Sequence, residues 1–341
     1  MTKEGIEAKI AAEVDKLSPD KVFVVTDSVV DRIADGFLVD YPRIVIPAGE
    51  LNKNLDTLAG IWKELSLRGA SRRSMVVNLG GGMVSDTGGF AAATFKRGIE
   101  YGNVPTTLLA AVDAAIGGKT GVNFSGFKNE IGAFKMPRFT IPLIDTFSSL
   151  PDIEMLSGYG EMLKTGLLIS RQAFDTMTEE CFLDVENPDF HRLVEDCGHF
   201  KEKVVAEDPT EKGLRKILNL GHTFGHAFES LLLERGKPVA HGIAVAHGIL
   251  ASLILSRLVF DNDPEILYRY STVLKNCFPS IPIGCDDTDR LLFMMGHDKK
   301  NGTDGRPRFV LLRKAGEPEF DIEVEESLIL SAFEIYLDMA R

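Results

Sequence analysis

Cysteine is scarce in this sequence of 341 residues, which contains four: Cys181, Cys197, Cys277 and Cys285. No two of them have the CxxC spacing of a zinc ribbon or a redox motif. Small secreted folds that lack a large core are usually dense in disulfides. The scarcity therefore argues against both a zinc ribbon and a disulfide scaffold, and it predicts scattered, reduced thiols.

Long hydrophobic runs are also lacking. No stretch of about 18 consecutive apolar residues occurs, which is roughly the minimum for a transmembrane helix. The opening segment, MTKEGIEAKIAAEVDKL, has helical spacing and mixed charge rather than the apolar core of a signal peptide. We therefore expect a cytoplasmic protein without a membrane partner.

An excess of basic residues is the third feature that is missing. The chain has 38 Lys and Arg residues against 50 Asp and Glu residues, a net charge of −12. Because nucleic-acid binding needs a basic stripe, this balance argues against a nucleic-acid partner. An anionic small molecule is still compatible, since a local group of Lys and Arg residues can dominate one pocket. The length fits about two globular domains.

In the first half, short apolar runs alternate with glycine-rich turns. The pattern predicts buried strands at Lys21–Val25, Arg43–Pro47, Ser74–Leu79 and Thr140–Ile144, and a helix over Leu55–Arg68. Strands that alternate with helices are typical of βαβ units and a mostly parallel sheet.

The pattern changes at the Leu150–Pro151 turn. Beyond it, apolar residues recur at three- and four-residue intervals, as in Gly242–Leu258, with one strand-like exception at Arg308–Leu312. We therefore predict an α/β domain over residues 1–150 and a helical domain over residues 151–341.

The segment Asn78–Phe90, NLGGGMVSDTGGF, predicts a strand that runs through three glycines into a helix. Glycines allow the backbone to approach a phosphate, and the N–H groups at a helix N-terminus attract anions. The GxGxxG fingerprint is incomplete, because Gly80 and Gly82 fit its first two positions but Ser85 stands at the third. The segment indicates a phosphate site, although a purely structural turn would use the same glycines.

A second glycine-rich segment spans Val104–Gly132 and contains Asp113, Lys119, Lys128 and Asn129. A single lysine usually covers a solvated surface. Here each lysine lies within two residues of a glycine, and an asparagine follows the second lysine. This combination favours a loop that holds an anionic ligand.

A third segment, residues 215–229, reads RKILNLGHTFGHAFE. His222 and His226 are four residues apart and would share one face of a helix. The HExxH zinc motif is not matched, because glutamate does not follow the first histidine. With Glu161 on an earlier predicted helix and His241 at the start of a later one, two histidines and a carboxylate could form a catalytic zinc set. The spacing alone does not decide which carboxylate completes it.

Together these segments resemble the dehydroquinate synthase family. The resemblance covers about Val22–Leu312. It is carried by GGGMVSD, VPTTLLAAVDAAIGGKTGVNFSGFKN and NLGHTFGHAFE, and by TD at 26–27, PAGELNK at 47–53, FKRG at 95–98, GEMLK at 160–164, KEKVVAED at 201–208 and HDKKNG at 297–302. The resemblance implies an N-terminal Rossmann-like nucleotide-binding α/β domain followed by an all-α C-terminal metal-binding domain.

The resemblance also implies an activity. A member of this family converts 3-deoxy-D-arabino-heptulosonate 7-phosphate to 3-dehydroquinate and phosphate, the second step of the shikimate pathway, with catalytic NAD and zinc. Cobalt could occupy the same histidine and glutamate ligands. Arg97, in FKRG, resembles the family arginine that reaches the substrate phosphate of a neighbouring subunit, which implies a homodimer.

Individual residues follow from the same resemblance. The implied metal ligands are Glu161, His222 and His241, and His226 would support a ligand or handle a proton. The implied NAD contacts are Asp27, Glu50, Lys53, Gly82, Met83, Val84, Ser85, Asp86, Thr106, Thr107, Lys119, Lys128, Thr146 and Ser149. The implied substrate contacts are Arg97, Asp113, Lys119, Asn129, Lys164, Lys201, Arg215, Asn219 and Lys299.

The sequence departs from the family pattern in a few places. Ile243 stands where the family often has glutamate, and Ala114 and Ala115 stand where it usually has serines. GEMLK replaces the usual AEVIK. None of these changes removes an implied ligand, but they leave the role of His247 open.

Three alternatives compete with this interpretation. A sugar-phosphate cyclase whose substrate lacks a carboxylate would not need Lys201 and Arg215. A metal-dependent polyol dehydrogenase would release NADH. An NAD-binding regulatory protein would have no turnover, which the retained metal and cationic residues argue against.

Overall fold

In the computed structural model, which describes residues 2–179, 183–296 and 306–340, the chain divides into two units. The units are Met1–Pro151 and Asp152–Arg341, and each is compact by itself. The division falls one residue beyond the boundary that the change in apolar spacing predicts.

The first unit alternates helices with strands. Its helices are α1 Lys3–Leu17, α2 Val30–Ile33, α3 Leu55–Leu67 and α4 Gly82–Thr94, and its strands are β1 Val22–Asp27, β2 Arg43–Ile46, β3 Met75–Gly80, β4 Glu100–Pro105, β5 Lys119–Phe124 and β6 Phe127–Phe134. Short 3₁₀ turns at Glu50–Asn52, Phe95–Arg97 and Ile144–Ser149, and a π-helical turn at Ala110–Ala114, connect these elements.

A four-stranded parallel sheet organises this unit, with the strand order β2-β1-β3-β4. Every residue of β1 and β3 is buried, because apolar clusters cover both faces of the sheet. One cluster includes Leu58 and Ile61 of α3, and the other includes Ile6 and Ile10 of α1. All four strands therefore end at the same edge, which is where ligands bind in such sheets.

Most of the predicted elements of this unit are confirmed. The runs at Lys21–Val25, Arg43–Pro47 and Ser74–Leu79 form β1, β2 and β3, and the periodic segment Leu55–Arg68 forms α3. The strand predicted at Thr140–Ile144 is wrong. Ile141 and Leu143 donate to the carbonyls of Asn103 and Pro105 in β4, each at 2.9 Å. However, these described residues form only a single bridge, from Thr140 to Asn103, because the next bond of a parallel ladder would have to be donated by Pro105, which has no N–H.

The glycine-rich segment that was expected to be a loop is also more regular than predicted. It contains the antiparallel hairpin of β5 and β6, in which Gly121 pairs with Gly132. A Cβ on Gly121 would lie 2.6 Å from the carbonyl oxygen of Ile131, so the close pairing of these strands requires glycine there. The loop prediction was wrong because the same glycines interrupt the apolar alternation by which strands are recognised.

The second unit is helical apart from one hairpin. Its helices are α5 Asp152–Ile169, α6 Arg171–Met177, α7 Pro188–Glu207, α8 His222–Glu234, α9 His241–Phe260, α10 Glu265–Cys277, α11 Thr288–Gly296 and α12 Glu326–Met339. The run at Arg308–Leu312 forms β7 Arg308–Lys314, as predicted, and pairs with β8 Glu317–Glu323. Strand β8 was not predicted, because its residues are mostly polar and contain no apolar run.

Helix α9 is the centre of this unit and packs against α5, α8, α10, α12 and β7. Among the described residues it is the one helix whose length and hydropathy would allow it to cross a membrane. However, 78% of that apolar window is buried inside the unit, as in a core helix. The apolar character of α9 is therefore explained by packing against its neighbours.

Glycines allow the backbone of α9 to contact the backbones of two neighbouring helices directly. A Cβ on Gly242 would overlap the carbonyl oxygen of Ser157 in α5, and one on Gly160 would overlap the carbonyl oxygen of Gly242. On the other side, a Cβ on Gly225 of α8 would lie 3.1 Å from the Cα of Val245. The amide of Gly242 also donates to the hydroxyl of Ser157 at 3.0 Å. The starts of α8 and α9 are thereby held close to the middle of α5.

Replacing Gly242 with alanine should therefore destabilise the second unit. The added methyl group must push α9 away from α5, and steric overlap of this kind typically costs about 1–3 kcal/mol or more. Urea unfolding of the variant measures the loss. Gly284→Ala is the matched control, because a Cβ there meets nothing within 4 Å. Equal stability of both variants would contradict the proposed close approach.

Candidate active site

The glycine turn between β3 and α4 is shaped to receive an anion. Gly81 precedes the helix and has no side chain with which to cap it, and the amide of Ser85 makes the first helical bond, to the Gly81 carbonyl at 3.0 Å. The amides of the first turn are therefore directed out of the helix end. A Cβ on Gly81 would lie 3.0 Å from Thr107, so glycine keeps the backbone open at this point.

Residues at the carboxyl edge of the sheet surround this turn. Asp27, the last residue of β1, accepts hydrogen bonds from the amides of Val29 at 2.8 Å and Val30 at 3.0 Å. Thr146 donates to the carbonyl of Thr106 at 3.0 Å, and Ser149 donates to the carbonyl of Thr146 at 2.7 Å. The structure thus brings most of the predicted NAD residues to one edge.

Two buried hydroxyl groups at this edge have no hydrogen-bond partner within the described part of the chain. They belong to Thr26, near the end of β1, and to Thr106, which follows β4. Buried hydroxyls nearly always have a partner in a complete structure. Together with the open glycine turn, they fit the polar groups of a bound nucleotide.

A polar network around the buried Lys53 connects the loop after β2 to the hairpin. The Lys53 ammonium contacts Asp86 Oδ2 at 2.5 Å and Asn129 Oδ1 at 2.5 Å. Asn123 accepts the amide of Asn129 at 2.9 Å and donates to Glu50 Oε1 at 2.9 Å. Asn123 was not predicted as a site residue, although it lies within the longest of the family motifs, because nothing in a sequence shows which side chain bridges two loops.

Other predicted residues of the first unit are more dispersed. Asp113 lies in the π-helical turn Ala110–Ala114, a distortion that is frequent at functional sites. Lys119 begins β5 at the open end of the hairpin, whereas Lys128 and Asn129 lie near its turn. The structure therefore does not place Lys119 next to Asn129.

Arg97 lies at the opposite end of α4 from the glycine turn. It is exposed, with φ of 72°, in the turn that follows the helix. A helix of 13 residues is about 20 Å long, so Arg97 is remote from the glycine turn of its own unit.

In the second unit, Glu161 lies in the middle of α5, and His222 and His241 are the first residues of α8 and α9. Glu161 Oε1 lies 3.6 Å from Nε2 of His222 and 3.6 Å from Nε2 of His241. Ligands about 2.1 Å from a tetrahedral zinc ion are separated by roughly 3.4 Å. These three side chains are therefore spaced as ligands of one metal ion would be.

His226 lies close to the same point. One nitrogen from each of His222, His226 and His241 lies within 4.8 Å of the other two. The rings of His222 and His226 are 5.2 Å apart and nearly perpendicular. His226 is thus near enough to support the cluster or to exchange a proton with a ligand there.

Outer partners orient two of these histidines. His222 Nδ1 lies 3.2 Å from the carbonyl oxygen of Leu220, and His241 Nδ1 lies 3.1 Å from Glu229 Oε2. With a metal ion bound, each ring would donate its Nδ1–H to these partners and present the lone pair of Nε2 on the side of Glu161, as metal-binding histidines do. Glu229 was not predicted as a site residue. The sequence did contain a signal for it, because Glu229 comes three residues after His226 and seven after His222 and therefore lies on the same face of α8.

The charged groups around the histidine cluster favour the binding of a cation. Burial opposes the protonated ring of His241, but hydrogen bonds to Glu161 and Glu229 outweigh it and raise the pKa of His241 to about 9. The ammonium of Lys164 forms an ion pair with Glu161 Oε2, and both side chains are buried. The carboxylates of the cluster therefore favour positive charge at the point where the histidines meet.

The predicted carboxylate-binding residues lie on α7 and the following loop. Lys201 is buried on α7, which packs against the turn Leu214–Asn219. Asp208 fixes this turn by accepting the amides of Gly213 at 2.7 Å and Arg215 at 3.1 Å. The guanidinium of Arg215 is buried and donates to the carbonyl of Pro209 at 2.8 Å. Its position is therefore set by the backbone before any ligand binds.

A cavity of about 220 Å³ opens beside the cluster. It is lined by Thr210, Glu211, Lys216, Asn219, His222, Thr223, Arg308, Phe309, Val310 and Asp321. Asn219, in the lining, donates to Glu211 Oε1 at 2.8 Å. Glu211 was not predicted from the sequence. Lys299, which the family resemblance predicted to be a substrate contact, lies outside the described residues.

His247 is a buried residue of the second unit, and both of its ring nitrogens have hydrogen-bond partners. Its Nε2–H donates to the carbonyl of Pro279 at 3.0 Å, and its Nδ1 accepts the hydroxyl of Tyr336 at 2.9 Å. Burial lowers the pKa of His247 to about 4. The ring is therefore neutral and fully hydrogen-bonded within the core. Ile243, in place of the frequent family glutamate, is also completely buried.

His247 should make the protein less stable in mild acid. The unfolded ring binds a proton below about pH 6.5, whereas the folded ring stays neutral until about pH 4, so stability falls as the pH drops through this window. Between pH 7 and pH 5 the loss attributable to His247 is about 2 kcal/mol.

Urea unfolding of the wild type and of His247→Gln at both pH values measures this difference. The variant should lose about 2 kcal/mol less than the wild type. Tyr336→Phe is the control, because it removes a hydrogen bond and keeps the titrating ring. An identical pH dependence in wild type and His247→Gln would refute this assignment.

The architecture occurs among solved structures of cyclases. The chain is similar to 2-deoxy-scyllo-inosose synthase in complex with carbaglucose-6-phosphate, NAD⁺ and Co²⁺, with a TM-score of 0.80 and 25% identity over 96% of this chain and 93% of that one. The fold and the site together define an enzyme of the sugar-phosphate cyclase class.

Sequence comparison is more specific. The domain description "3-dehydroquinate synthase N-terminal" matches residues 43–157, and "3-dehydroquinate synthase C-terminal" matches residues 158–301. A 3-dehydroquinate synthase of Parabacteroides distasonis is 40% identical over 98% of this chain and 96% of its own length. One of Thermococcus kodakarensis is 39% identical over 95% and 91%. The chain belongs to the 3-dehydroquinate synthase family, as its motifs predicted.

Proposed function

We propose that this protein is a 3-dehydroquinate synthase. It converts 3-deoxy-D-arabino-heptulosonate 7-phosphate to 3-dehydroquinate and phosphate in the second step of the shikimate pathway, and acts as a carbon–oxygen lyase. The observation that carries the proposal is the convergence of Glu161, His222 and His241 in a chain of this family. We place the enzyme in the cytoplasm.

Two cofactors belong to the proposal: NAD and a divalent metal ion, zinc or cobalt. When bound, NAD would supply reversible hydride transfer within one turnover, and the metal ion would supply Lewis-acid chemistry that lowers the pKa of the substrate hydroxyl to be oxidised. The similar inosose synthase was solved with NAD⁺ and Co²⁺ bound. In the present chain the open glycine turn and the two buried threonine hydroxyls fit NAD.

The proposed NAD site is the carboxyl edge of the parallel sheet. Backbone amides at the start of α4 would hold the pyrophosphate. The contributing residues would be Asp27, Glu50, Lys53, Gly82, Met83, Val84, Ser85, Asp86, Thr106, Thr107, Lys119, Lys128, Thr146 and Ser149. Lys53 is already oriented by Asp86 and Asn129 at 2.5 Å, so little side-chain freedom is lost when the nucleotide binds.

The proposed metal ligands are Glu161, His222 and His241, with His226 beside them as a proton-handling residue. The observed spacing of 3.6 Å between Glu161 and each of the two histidines supports this choice. Neighbouring hydroxyl groups of the substrate would approach this point, and the 220 Å³ cavity that includes His222 gives them access.

Arg215 and Lys201 would hold the substrate carboxylate, with Asn219 beside them. One nitrogen of the Arg215 guanidinium is bound to the Pro209 carbonyl, which orients the planar group for a bidentate contact with a carboxylate. A cyclase whose substrate has no carboxylate would have no use for two buried cations here. This pair therefore favours the keto-acid substrate over the substrates of other cyclases.

The remaining cationic and polar residues would stabilise the leaving phosphate. We assign this role to Lys119, Asn129, Lys164 and Arg97, with Asp113 and Lys299 as further substrate contacts. Because Arg97 is exposed and remote from its own glycine turn, it would act on the site of a second subunit. The proposed enzyme is accordingly a homodimer.

Phosphate release tests the function directly. Purified protein incubated with the heptulosonate phosphate and NAD should release phosphate without net accumulation of NADH. A chelator should abolish the release, and added zinc or cobalt should restore it. Undiminished release in the chelator would contradict the metal site. Growth of NADH absorbance with a simple polyol would instead favour a dehydrogenase.

Arg215→Ala should raise the KM for the heptulosonate phosphate by roughly 10- to 100-fold, since a hydrogen bond to a charged group contributes about 1.5–3 kcal/mol. Steady-state kinetics with phosphate detection measures the change. Arg192→Ala is the control, because Arg192 is 62% exposed and pairs with Asp189 on the surface of α7. An unchanged KM in Arg215→Ala would argue against a carboxylate site at this position.

A further inference from the structure

We infer that Glu229 is a positioning residue of the metal centre, which orients His241 and supplies the negative charge that a bound dication requires. The inference deepens the metal site proposed above and rests on it. The contact on which the inference rests is that of Glu229 Oε2 with Nδ1 of His241. Glu229 acts through the imidazole ring of His241.

The contact is local and well defined. Glu229 Oε2 lies 3.1 Å from His241 Nδ1, and the Glu229 side chain is 14% exposed. Glu229 is on α8 and His241 is the first residue of α9, and these helices approach closely at Gly225. When a metal ion is bound, the carboxylate would accept the Nδ1–H of His241 and leave the lone pair of the other ring nitrogen for the ion, on the side of Glu161.

His222 provides an internal comparison. Its Nδ1 faces the carbonyl oxygen of Leu220 at 3.2 Å, so it is oriented in the same way as His241 but by a neutral partner. Orientation alone therefore requires only an acceptor, which a carbonyl supplies. The carboxylate on His241 must contribute something more, and the difference is its charge.

The charge balance of the cluster shows why that contribution is needed. Glu161 is paired with Lys164, and both side chains are buried, so together they bring no net charge to the site. A bound dication would then leave a charge of about +2 in a region of low dielectric. Glu229 reduces it to about +1, and buried charge is costly unless it is compensated.

Zinc affinity separates the two contributions. Glu229→Gln keeps an oxygen that can accept the Nδ1–H but removes the charge, whereas Glu229→Leu removes both. Outer partners of metal-binding histidines typically contribute 10- to 100-fold in affinity. We expect the dissociation constant for zinc to rise about 10-fold in Glu229→Gln and about 100-fold in Glu229→Leu.

The measurement is competition of the full-length, metal-free protein with a chromophoric zinc chelator. Glu234→Gln is the matched control: Glu234 ends the same helix, is 50% exposed and pairs with Arg290 at 2.6 Å. Its zinc affinity should equal that of the wild type. Urea unfolding of the metal-free variants shows whether each one is folded, and Glu229→Gln keeps the test decisive if Glu229→Leu is not.

Lys164→Met should change the zinc affinity in the opposite direction from the Glu229 variants. Removing the buried ammonium leaves Glu161 as a full negative charge beside the ion, so zinc should bind more tightly than in the wild type. Cobalt supplies an independent readout, because a reoriented His241 changes the visible d–d spectrum of the Co²⁺ protein. We expect an altered spectrum in Glu229→Leu and an unaltered one in Glu234→Gln.

The outcomes are distinguishable. If the wild type binds zinc and both Glu229 variants bind it equally well, the inference is overturned while the proposed metal site stands. Weaker binding in Lys164→Met would overturn the charge argument. If the wild type binds neither zinc nor cobalt, the proposed metal centre fails, and the role of Glu229 fails with it.

Discussion

The second unit depends on the close packing of α9 against α5 and α8, in which the helix backbones contact each other directly. Gly160 and Gly242 remove the side chains that would keep α5 and α9 apart, and Gly225 does the same between α8 and α9. Because of this, a residue in the middle of one helix and the first residues of two others can converge. Glu161, which is completely buried, has the two histidines at 3.6 Å only because those helices are so close.

The first unit reaches a comparable convergence by a different route. Parallel pairing alone requires β1, β3 and β4 to end at one edge, and the turns that follow them carry Asp27, the glycines and Thr106. The hairpin of β5 and β6 is then attached to this edge by Lys53, which binds Asn129, and by Asn123. Residues expected to contact a cofactor and residues expected to contact a substrate are thus tied into one polar network.

Elements with a strong local signal could be predicted from the sequence, and elements that depend on distant partners could not. The glycine turn after β3 was recognisable because glycine and the following helix lie in one segment. The hairpin was taken for a loop, since Gly121 and Gly132 are explained only by each other's backbone. A strand was predicted at Thr140–Ile144, although Pro105 in the neighbouring strand has no N–H to continue a ladder there.

The sequence by itself determined the fold class, the family and the identity of the metal-binding candidates, because these follow from local patterns and ordered motifs. The tertiary structure alone decided how the candidates are used. It showed that Glu229 contacts His241, that Asn123 joins two loops, and that His247 is a neutral core residue. Each of these roles is a contact between residues that lie on different elements. Residue spacing along the chain cannot specify such contacts, because they arise only when packing brings the elements together.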